Sequence, residues 1–476
     1  MANSDSQVPG SALENDLEAR VSENMAHTIA RLGDLVRIPS VSWEGRDPTL
    51  LDQSADRVRE LFAATGVFDR VGVFTHQTDA GDDGRPSVIA VRPAKPGFPT
   101  VTLYAHHDVQ PEGDAALWDT PAFEPTLRGE RLYGRGASDD KAGVIAHVAA
   151  IEAVRDALGD DFGLGLNVFI EGEEESGSGS FRNTLRAHLD DLKADAIIVA
   201  DSDNPSATVP GLTVSLRGNV AFDLRVRTIE HAWHSGMFGG AVPDAMLATI
   251  KLLSTLWDDA GSVAVAGLRT HEAPVPERDA DEYRADADLL DGVQLIGSGP
   301  VLSRVWNQPA ITITGIDAPD VANASNTLLP SVRVHVSCRI APGQTAEDAA
   351  RAIEEHLRSH APFGAAIEIE NLSAGSPFLA NTDGEAVTVM RESMRDGWGT
   401  DPELTGIGGS IPFITDFLEM IPDAEILVTG VEDPLTMAHS PNESQHLGVL
   451  RRAILSEALF LVRMNARGRS AGVAGD

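Results

Sequence analysis

Four glutamates lie close together in the segment EGEEESGS at residues 171–178, directly after the apolar run GLGLNVFI at 163–170. Carboxylates this near a buried strand repel one another, and each is costly to bury unless a cation or a proton neutralises it. The segment therefore indicates either a solvated acidic turn or a site that binds positive charge.

Side chains of the same kinds follow the other predicted apolar strands. The run VTLYA at 101–105 is followed by His106, and the run ADAIIVA at 194–200 is followed by Asp201. Ligands of open α/β sheets bind at the carboxyl ends of the strands, so we expect these side chains to converge. Further candidate residues for the same site precede a predicted helix or follow a predicted strand. They are Asp108, Asp139, Asp140, Glu174, Glu175 and His439. A metal centre explains the whole set better than independent solvated turns do.

The number of these residues favours two metal ions over one. They exceed the four ligands of a single zinc ion, and the HExxH spacing of single-zinc proteases is missing. Two ions about 3.5–4 Å apart, bridged by one carboxylate, would use the set, polarise a carbonyl and lower the pKa of a bridging water. Consecutive side chains leave the backbone in different directions. One of Glu174 and Glu175 could therefore bind metal while the other serves as general base.

The elements that position these residues follow two patterns. Apolar strands alternate with helices up to about residue 205, and the strand 424–430 returns to the same pattern, which predicts a mostly parallel α/β sheet. Between them, RGNVAFDLRVRT and SVRVHVSCRI alternate with period two, as half-exposed antiparallel strands do. We therefore predict a first domain of residues 1–215 and 374–476, interrupted by an α+β domain of residues 216–373. The first dozen residues are predicted to be disordered.

Composition limits the classes of partner. The chain has 476 residues, a net charge of -35 and a pI near 4.6, which disfavours nucleic acid. The single cysteine, Cys338, excludes an intramolecular disulfide and is predicted to lie in the core. The N-terminal sequence lacks the pattern of a secretory signal, and no apolar stretch is long enough for a membrane span. A cytoplasmic protein is the expectation.

Seven motifs resemble those of a known family. They are HHDVQP (106–111), YGRGASDDKAG (133–143), EGEEESGS (171–178), ADSDNP (200–205), HSGMFGG (234–240), GGSIP (408–412) and HSPNE (439–443). In this order they resemble the di-zinc metallopeptidases that include aminoacylase, carboxypeptidase G and succinyl-diaminopimelate desuccinylase. Their exact forms favour the carnosinase-like cytosolic dipeptidase branch. The resemblance extends from the N-terminal helix to the last strand.

The resemblance implies roles in the catalytic domain. His106, Asp139 and Asp201 would hold one zinc ion. Asp139, Glu175 and His439 would hold the second ion, with Asp139 bridging, and manganese or cobalt would also suit these ligands. Asp108 would orient the His106 ring, and Glu174 would be the general base. The peptide bond after Asp139 is expected to be cis. Asp203, two residues after Asp201, is the alternative ligand, and Asp201 is favoured because it directly ends its strand.

The resemblance also implies roles for the interrupting domain. This domain would act as a lid and form a homodimer interface. His234 would reach the partner subunit's active site and stabilise the oxyanion. Arg339, Gly409 and the Ser410 hydroxyl would bind the free carboxylate of the substrate.

The predicted activity is metal-dependent hydrolysis of dipeptides or short peptides that carry a free C-terminal carboxylate. Water bridged by the metals and activated by Glu174 would attack the amide carbonyl. An N-acyl-amino-acid amidohydrolase is the alternative, because it needs the same metals and the same carboxylate clamp. A non-catalytic metal-binding protein on this fold is the alternative from another class, but it would be expected to have lost Glu174, His234 or a ligand.

Overall fold

A computed structural model describes residues 12–409 and 411–473 of the chain, which form two compact units. The first unit ends at Thr213 and also contains Ala380–Leu404 and the chain from Asp416 onward. The second unit contains Val214–Leu379 and Thr405–Thr415. The predicted disorder of the first dozen residues falls outside the described residues, except at Ala12, where the first helix begins. The predicted domain limits, and the lid and dimerisation role, stay predictions.

Thirteen α-helices are present in the described part of the chain. They are α1 (Ala12–Val36), α2 (Pro48–Ala64), α3 (Lys141–Leu158), α4 (Phe181–Ala187), α5 (Leu189–Leu192), α6 (Ser235–Phe238), α7 (Ala245–Leu253), α8 (Ala280–Asp286), α9 (Val301–Trp306), α10 (Ala346–Ser359), α11 (Glu385–Trp398), α12 (Pro412–Met420) and α13 (Leu447–Val473). None of them, as far as it is described, combines the length and the apolar composition that crossing a membrane requires.

The strands fall into a large sheet, a four-stranded sheet and two small ones. They are β1 (Arg70–Phe74), β2 (Ser87–Arg92), β3 (Thr100–His106), β4 (Thr126–Arg128), β5 (Arg131–Tyr133), β6 (Gly165–Glu171), β7 (Ala196–Val199), β8 (Gly211–Leu216), β9 (Gly218–Arg227), β10 (Trp233–His234), β11 (Ala310–Asp317), β12 (Thr327–Leu328), β13 (Ser331–Ile340), β14 (Ala366–Gly375), β15 (Phe378–Leu379), β16 (Glu403–Ile407), β17 (Glu425–Val428) and β18 (Ser444–His446).

The large sheet of the first unit has a parallel centre. Its strands follow the order β1-β2-β6-β3-β7-β17, and the pairs β6–β3, β3–β7 and β7–β17 are parallel. Strands β6 and β7 are buried along their whole length, as expected for strands that are apolar on both faces. The predicted mostly parallel α/β sheet is confirmed.

Helices α1, α3 and α13 pack together in the first unit, and α3 carries a buried histidine. The Nδ1 atom of His147 lies 2.9 Å from the Glu457 carboxylate, and its Nε2 atom lies 3.0 Å from the Tyr104 carbonyl oxygen. Both ring nitrogens face acceptors, so the protonated ring is favoured. Burial opposes the charge, but the Glu457 carboxylate outweighs it and raises the pKa of His147. This histidine is a packing residue and is not one of the predicted metal ligands.

The second unit contains an antiparallel sheet in the order β11-β13-β9-β14. Strand β9 alternates buried and half-buried residues, and helices α7 and α10 pack against the sheet around its buried apolar side chains. Cys338 lies in that core, where burial raises the pKa of its thiol to about 12. The predicted α+β pattern with one half-exposed sheet face is confirmed.

Candidate metal centre

The carboxyl ends of the central strands bring the predicted ligands together. His106 is the last residue of β3, and Glu175 lies in the turn after β6. Asp139 precedes α3, and Asp201 follows β7. Ligand atoms of His106, Asp139 and Glu175 all lie within 4.8 Å of one another, and so do those of His106, Asp140 and Asp201. The parallel sheet therefore gathers residues from four separate segments at one edge.

The Asp139 carboxylate lies between two histidine rings. Its Oδ1 atom is 3.1 Å from His106 Nε2, and its Oδ2 atom is 2.9 Å from His439 Nε2. Asp201 Oδ1 lies 3.9 Å from His106 Nε2, and Glu175 Oε2 lies 3.2 Å from His439 Nε2. The five predicted metal ligands thus lie close together, with the Asp139 carboxylate between the two histidine rings. Their assignment as ligands stays a prediction.

Buried carboxylates dominate the electrostatics of the cluster. Burial raises the pKa of Asp201 to about 6, and burial together with the Asp139 charge raises the pKa of Glu175. Hydrogen bonds to Asp139 and Glu175 raise the pKa of His439 to about 11. The carboxylates of Asp139 and Glu175 therefore favour positive charge at the position of the His439 ring. Histidine nitrogens and carboxylate oxygens in this arrangement also suit divalent cations, which would neutralise the same carboxylates.

Asp108 connects the His106 ring with the turn that carries the two glutamates. Its Oδ1 and Oδ2 atoms accept hydrogen bonds from the backbone N–H groups of Glu174 (3.2 Å) and Glu175 (3.0 Å). Oδ1 also lies 3.3 Å from His106 Nδ1, and the Asp108 carbonyl oxygen lies 3.1 Å from the same nitrogen. A histidine ring held at Nδ1 in this way presents Nε2 to the cluster.

Glu174 differs from its neighbours in having a carboxylate without a fixed partner. Its side chain is half-buried, and among the described residues no donor forms a hydrogen bond with its carboxylate. Burial raises its pKa well above the usual range, and the charge of Asp201 adds to this effect. The Glu175 carboxylate, in contrast, accepts hydrogen bonds from Gln110 and lies against His439.

The other two glutamates of the segment are buried structural residues. Glu171 Oε2 accepts a hydrogen bond of 2.7 Å from the Tyr104 hydroxyl. Glu173 accepts hydrogen bonds from the backbone N–H groups of Ser180 and Arg85. Neither carboxylate belongs to the two ligand groups.

Asp140 is a member of the cluster to which the sequence analysis gave no role. Its Oδ2 atom accepts a hydrogen bond of 3.1 Å from the His106 backbone N–H. A Cβ atom at Gly143 would lie 2.2 Å from Asp140 Oδ1, so this position needs a glycine. The Asp139–Asp140 peptide bond is cis, which confirms the expectation from the resemblance. In the sequence, the motif DDKAG, which contains Asp140, was the feature that could have indicated this role.

Glu443 is a second residue without an earlier assignment. Its Oε1 atom accepts hydrogen bonds from the backbone N–H groups of Ser138 (3.0 Å) and Asp139 (3.1 Å). Its Oε2 atom accepts hydrogen bonds from the Gly136 N–H (3.0 Å) and from Arg135 Nη1 (2.6 Å). Because Glu443 is four residues after His439, it joins the loop of that histidine to the loop of Asp139.

Glu443→Gln should lower metal affinity by about 10- to 100-fold, the usual cost of losing a group that orients a ligand. Each carboxylate oxygen faces two donors, so the amide NH2 group of glutamine would meet N–H groups at one end. Isothermal titration of the metal-free protein with Zn2+ measures the effect. Glu457→Gln, which removes the buried carboxylate beside His147, is the matched control and should bind metal normally. Equal affinities in the two variants would contradict the role of Glu443.

The remaining predicted residues belong to the second unit. His234 is exposed, and its Nδ1 atom accepts a hydrogen bond of 3.1 Å from the Gly236 N–H. Arg339 is half-buried near the end of β13, and Gly409 is half-buried after β16. Ser410 lies outside the described residues. In the first unit, Asp203 is exposed and lies outside both ligand groups found in the described part of the chain.

Comparison with known proteins places the fold and the sequence in one family. Residues 102–462 match the family described as Peptidase family M20/M25/M40. A cysteinylglycine-S-conjugate dipeptidase of Corynebacterium striatum is 34% identical over 421 residues, which cover 87% of this chain and 92% of that protein. The human Beta-Ala-His dipeptidase is 27% identical over 411 residues, covering 81% and 80% of the two chains.

A solved structure agrees at the level of the fold. A dipeptidase of Saccharomyces cerevisiae superposes with a TM-score of 0.72 at 21% identity, over 95% of this chain and 98% of that chain. The resemblance inferred from the seven motifs, including the dipeptidase branch, is confirmed. The chain belongs to the peptidase family M20/M25/M40.

Proposed function

We propose that this chain is a metal-dependent dipeptidase, which hydrolyses the amide bond of dipeptides or short peptides with a free C-terminal carboxylate. The observation that carries the proposal is the Asp139 carboxylate, placed between His106 and His439, with the Glu174 carboxylate one residue before Glu175. The names of the relatives, which are dipeptidases, support the same reaction.

Two zinc ions are the proposed cofactors. His106, Asp139 and Asp201 would hold one, and Asp139, Glu175 and His439 would hold the other. Bound there, divalent ions supply Lewis acidity, which polarises a carbonyl and acidifies water. Manganese or cobalt would suit the same oxygen and nitrogen donors, because affinity and availability together select the ion.

Glu174 is the proposed general base. Its carboxylate takes a proton from the attacking water and then delivers a proton to the leaving amine. The carboxylate is half-buried and accepts no hydrogen bond from residues 12–409 or 411–473, which supports its use in this transfer. Asp108 holds the backbone of Glu174 and Glu175, so the proton-transfer group and the ligand keep a fixed spacing.

His234 is proposed to stabilise the oxyanion in the active site of a partner subunit. Because its Nδ1 atom accepts the Gly236 N–H, the neutral ring carries its proton on Nε2, which can then donate to an oxyanion. The ring is exposed, and Met237 beside it is 77% exposed. Leu247 and Ile250 on α7 are also exposed apolar residues of this unit. These features support a homodimer in which each second unit completes the partner's site.

The substrate's carboxylate is proposed to bind to Arg339 and to the turn that contains Gly409 and Ser410. Consecutive backbone N–H groups in a glycine-rich turn form a small anion-binding nest. An arginine adds charge and paired donors. This clamp restricts cleavage to the bond next to a free C-terminus. The predicted cytoplasmic location stays a prediction.

A substrate panel tests the proposed function. The zinc-loaded protein should cleave free dipeptides with kcat/KM at least about tenfold above that for N-acetyl amino acids, a difference of about 1.4 kcal/mol in transition-state binding. Both substrates share the carboxylate, so only the acyl side differs. A preference for N-acetyl amino acids would instead identify an amidohydrolase. Absence of hydrolysis of either class by the metal-loaded dimer would contradict both.

A further inference from the structure

Arg217 is a buried cation in the second unit whose partners, within the described part of the chain, are neutral carbonyl groups. It is 8% exposed. Its Nε atom donates to the Gly408 carbonyl oxygen at 2.9 Å, and its Nη1 atom donates to the carbonyl oxygens of Gln308 (3.2 Å) and Arg304 (3.4 Å). Among the described residues, no carboxylate forms an ion pair with Arg217. A buried charge without a counter-ion is costly, so its presence calls for an explanation.

A second arginine lies near Arg217. Arg217 directly precedes β9, and two residues later Asn219 of β9 pairs with Arg339 of β13. Burial lowers the pKa of Arg217 to about 10, and the charge of Arg339 adds to this effect. The two positive charges repel each other. Binding of an anion beside them would relieve that repulsion.

Arg217 also determines how one peptide group is oriented. A Cβ atom at Gly408 would lie 3.0 Å from both Arg217 Nη2 and the Val305 carbonyl oxygen, so a side chain here would press against Arg217. The Gly408–Gly409 peptide is planar, and its C=O and N–H groups point in opposite directions. Because Arg217 holds the C=O of Gly408, the N–H of Gly409 points away from Arg217. The guanidinium polarises this peptide and makes that N–H a stronger donor.

We propose that Arg217 is a positioning residue for the substrate's C-terminal carboxylate. It fixes the Gly408–Gly409 peptide so that the Gly409 N–H meets the carboxylate, and it adds positive potential next to Arg339. The ligand class is a small carboxylate that the Gly409 N–H and Arg339 contact, with Arg217 on the opposite side of the Gly408–Gly409 peptide. This inference rests on the proposed function, because the anion is the free carboxylate of the dipeptide.

The test compares substrates that differ only in that carboxylate. Arg217→Lys keeps the charge, but it loses the fork that reaches separate carbonyl groups. KM for a free dipeptide should rise by about 10- to 100-fold, the range expected for a lost hydrogen bond to a charged group. KM for the same dipeptide with a C-terminal amide should change by less than about threefold, and kcat should change little for either substrate. Arg225→Lys on β9, an arginine already paired with Glu370, is the matched control.

Gly408→Ala provides an independent variant, because its Cβ atom would displace Arg217 without removing a charge. It should show the same selective rise in KM, and it replaces Arg217→Lys if that variant does not fold. An unchanged KM for the free dipeptide, or an equal loss for the acid and the amide, would overturn the inference. If the wild-type protein instead prefers N-acetyl amino acids, the proposed substrate is wrong, and the same acid-and-amide comparison on those substrates still tests Arg217.

Discussion

Glu174→Gln should reduce kcat for dipeptide hydrolysis by about 10²- to 10⁴-fold, the range that a positioned general base contributes. Glutamine has nearly the same shape, but its amide cannot accept the proton. The backbone N–H of residue 174 would still bind Asp108, so the turn and Glu175 should keep their places. Steady-state kinetics on the zinc-loaded variant measures the effect, and metal analysis should find the same zinc content as in the wild type.

A neighbouring glutamate provides the control for this prediction. Glu173→Gln removes a buried carboxylate that accepts backbone N–H groups of Ser180 and Arg85. The loss of these hydrogen bonds should lower the free energy of unfolding by about 1–3 kcal/mol. The kcat value should stay close to that of the wild type. A normal rate for Glu174→Gln would show that another group accepts the proton.

The second large effect is expected from substitution of Asp139, whose carboxylate lies between the two histidine rings. Asp139→Asn should abolish binding of both metal ions, whereas Asp201→Asn should weaken only one. The reason is that Asp139 faces both histidine rings, at 3.1 and 2.9 Å, while the Asp201 carboxylate lies 3.9 Å from the His106 ring. Removing the negative charge also removes the counter-charge that two divalent cations would need. Metal analysis after gel filtration measures the stoichiometry, and hydrolysis of dipeptides should fall below detection in Asp139→Asn.

Removal of the metal from the wild-type protein by a chelator should have the same effect on activity as the Asp139→Asn substitution. A strong chelator should remove all activity, and added Zn2+ should restore it. The metal-free protein should unfold at a lower temperature, because a ligand that binds only the folded state stabilises it. Full activity in a protein shown to be free of metal would contradict the proposed mechanism. So would one retained, catalytically sufficient metal ion in Asp139→Asn.

Much of the fold and of the metal cluster could be predicted from local patterns. Strands that are buried on both faces have continuous apolar sequences, and half-exposed strands alternate, so β6 and β13 differ visibly in sequence. The carboxyl ends of parallel strands must meet at one edge, and therefore His106 and Asp201 were expected near each other. The seven motifs identified the family more specifically than any of these patterns did alone.

Tertiary structure decided the features that depend on residues far apart in the chain. Glu443 and Asp139 are 304 positions apart, and no local pattern shows that one carboxylate accepts the backbone N–H of the other loop. Burial of Glu171, and the pairing of Arg217 with carbonyl groups of a distant turn, likewise follow from packing. The sequence alone determined which residue types reach the sheet edge, because strand period and strand direction are local. Only the folded chain decided which of them bind one another, because hydrogen bonds and charges act through space.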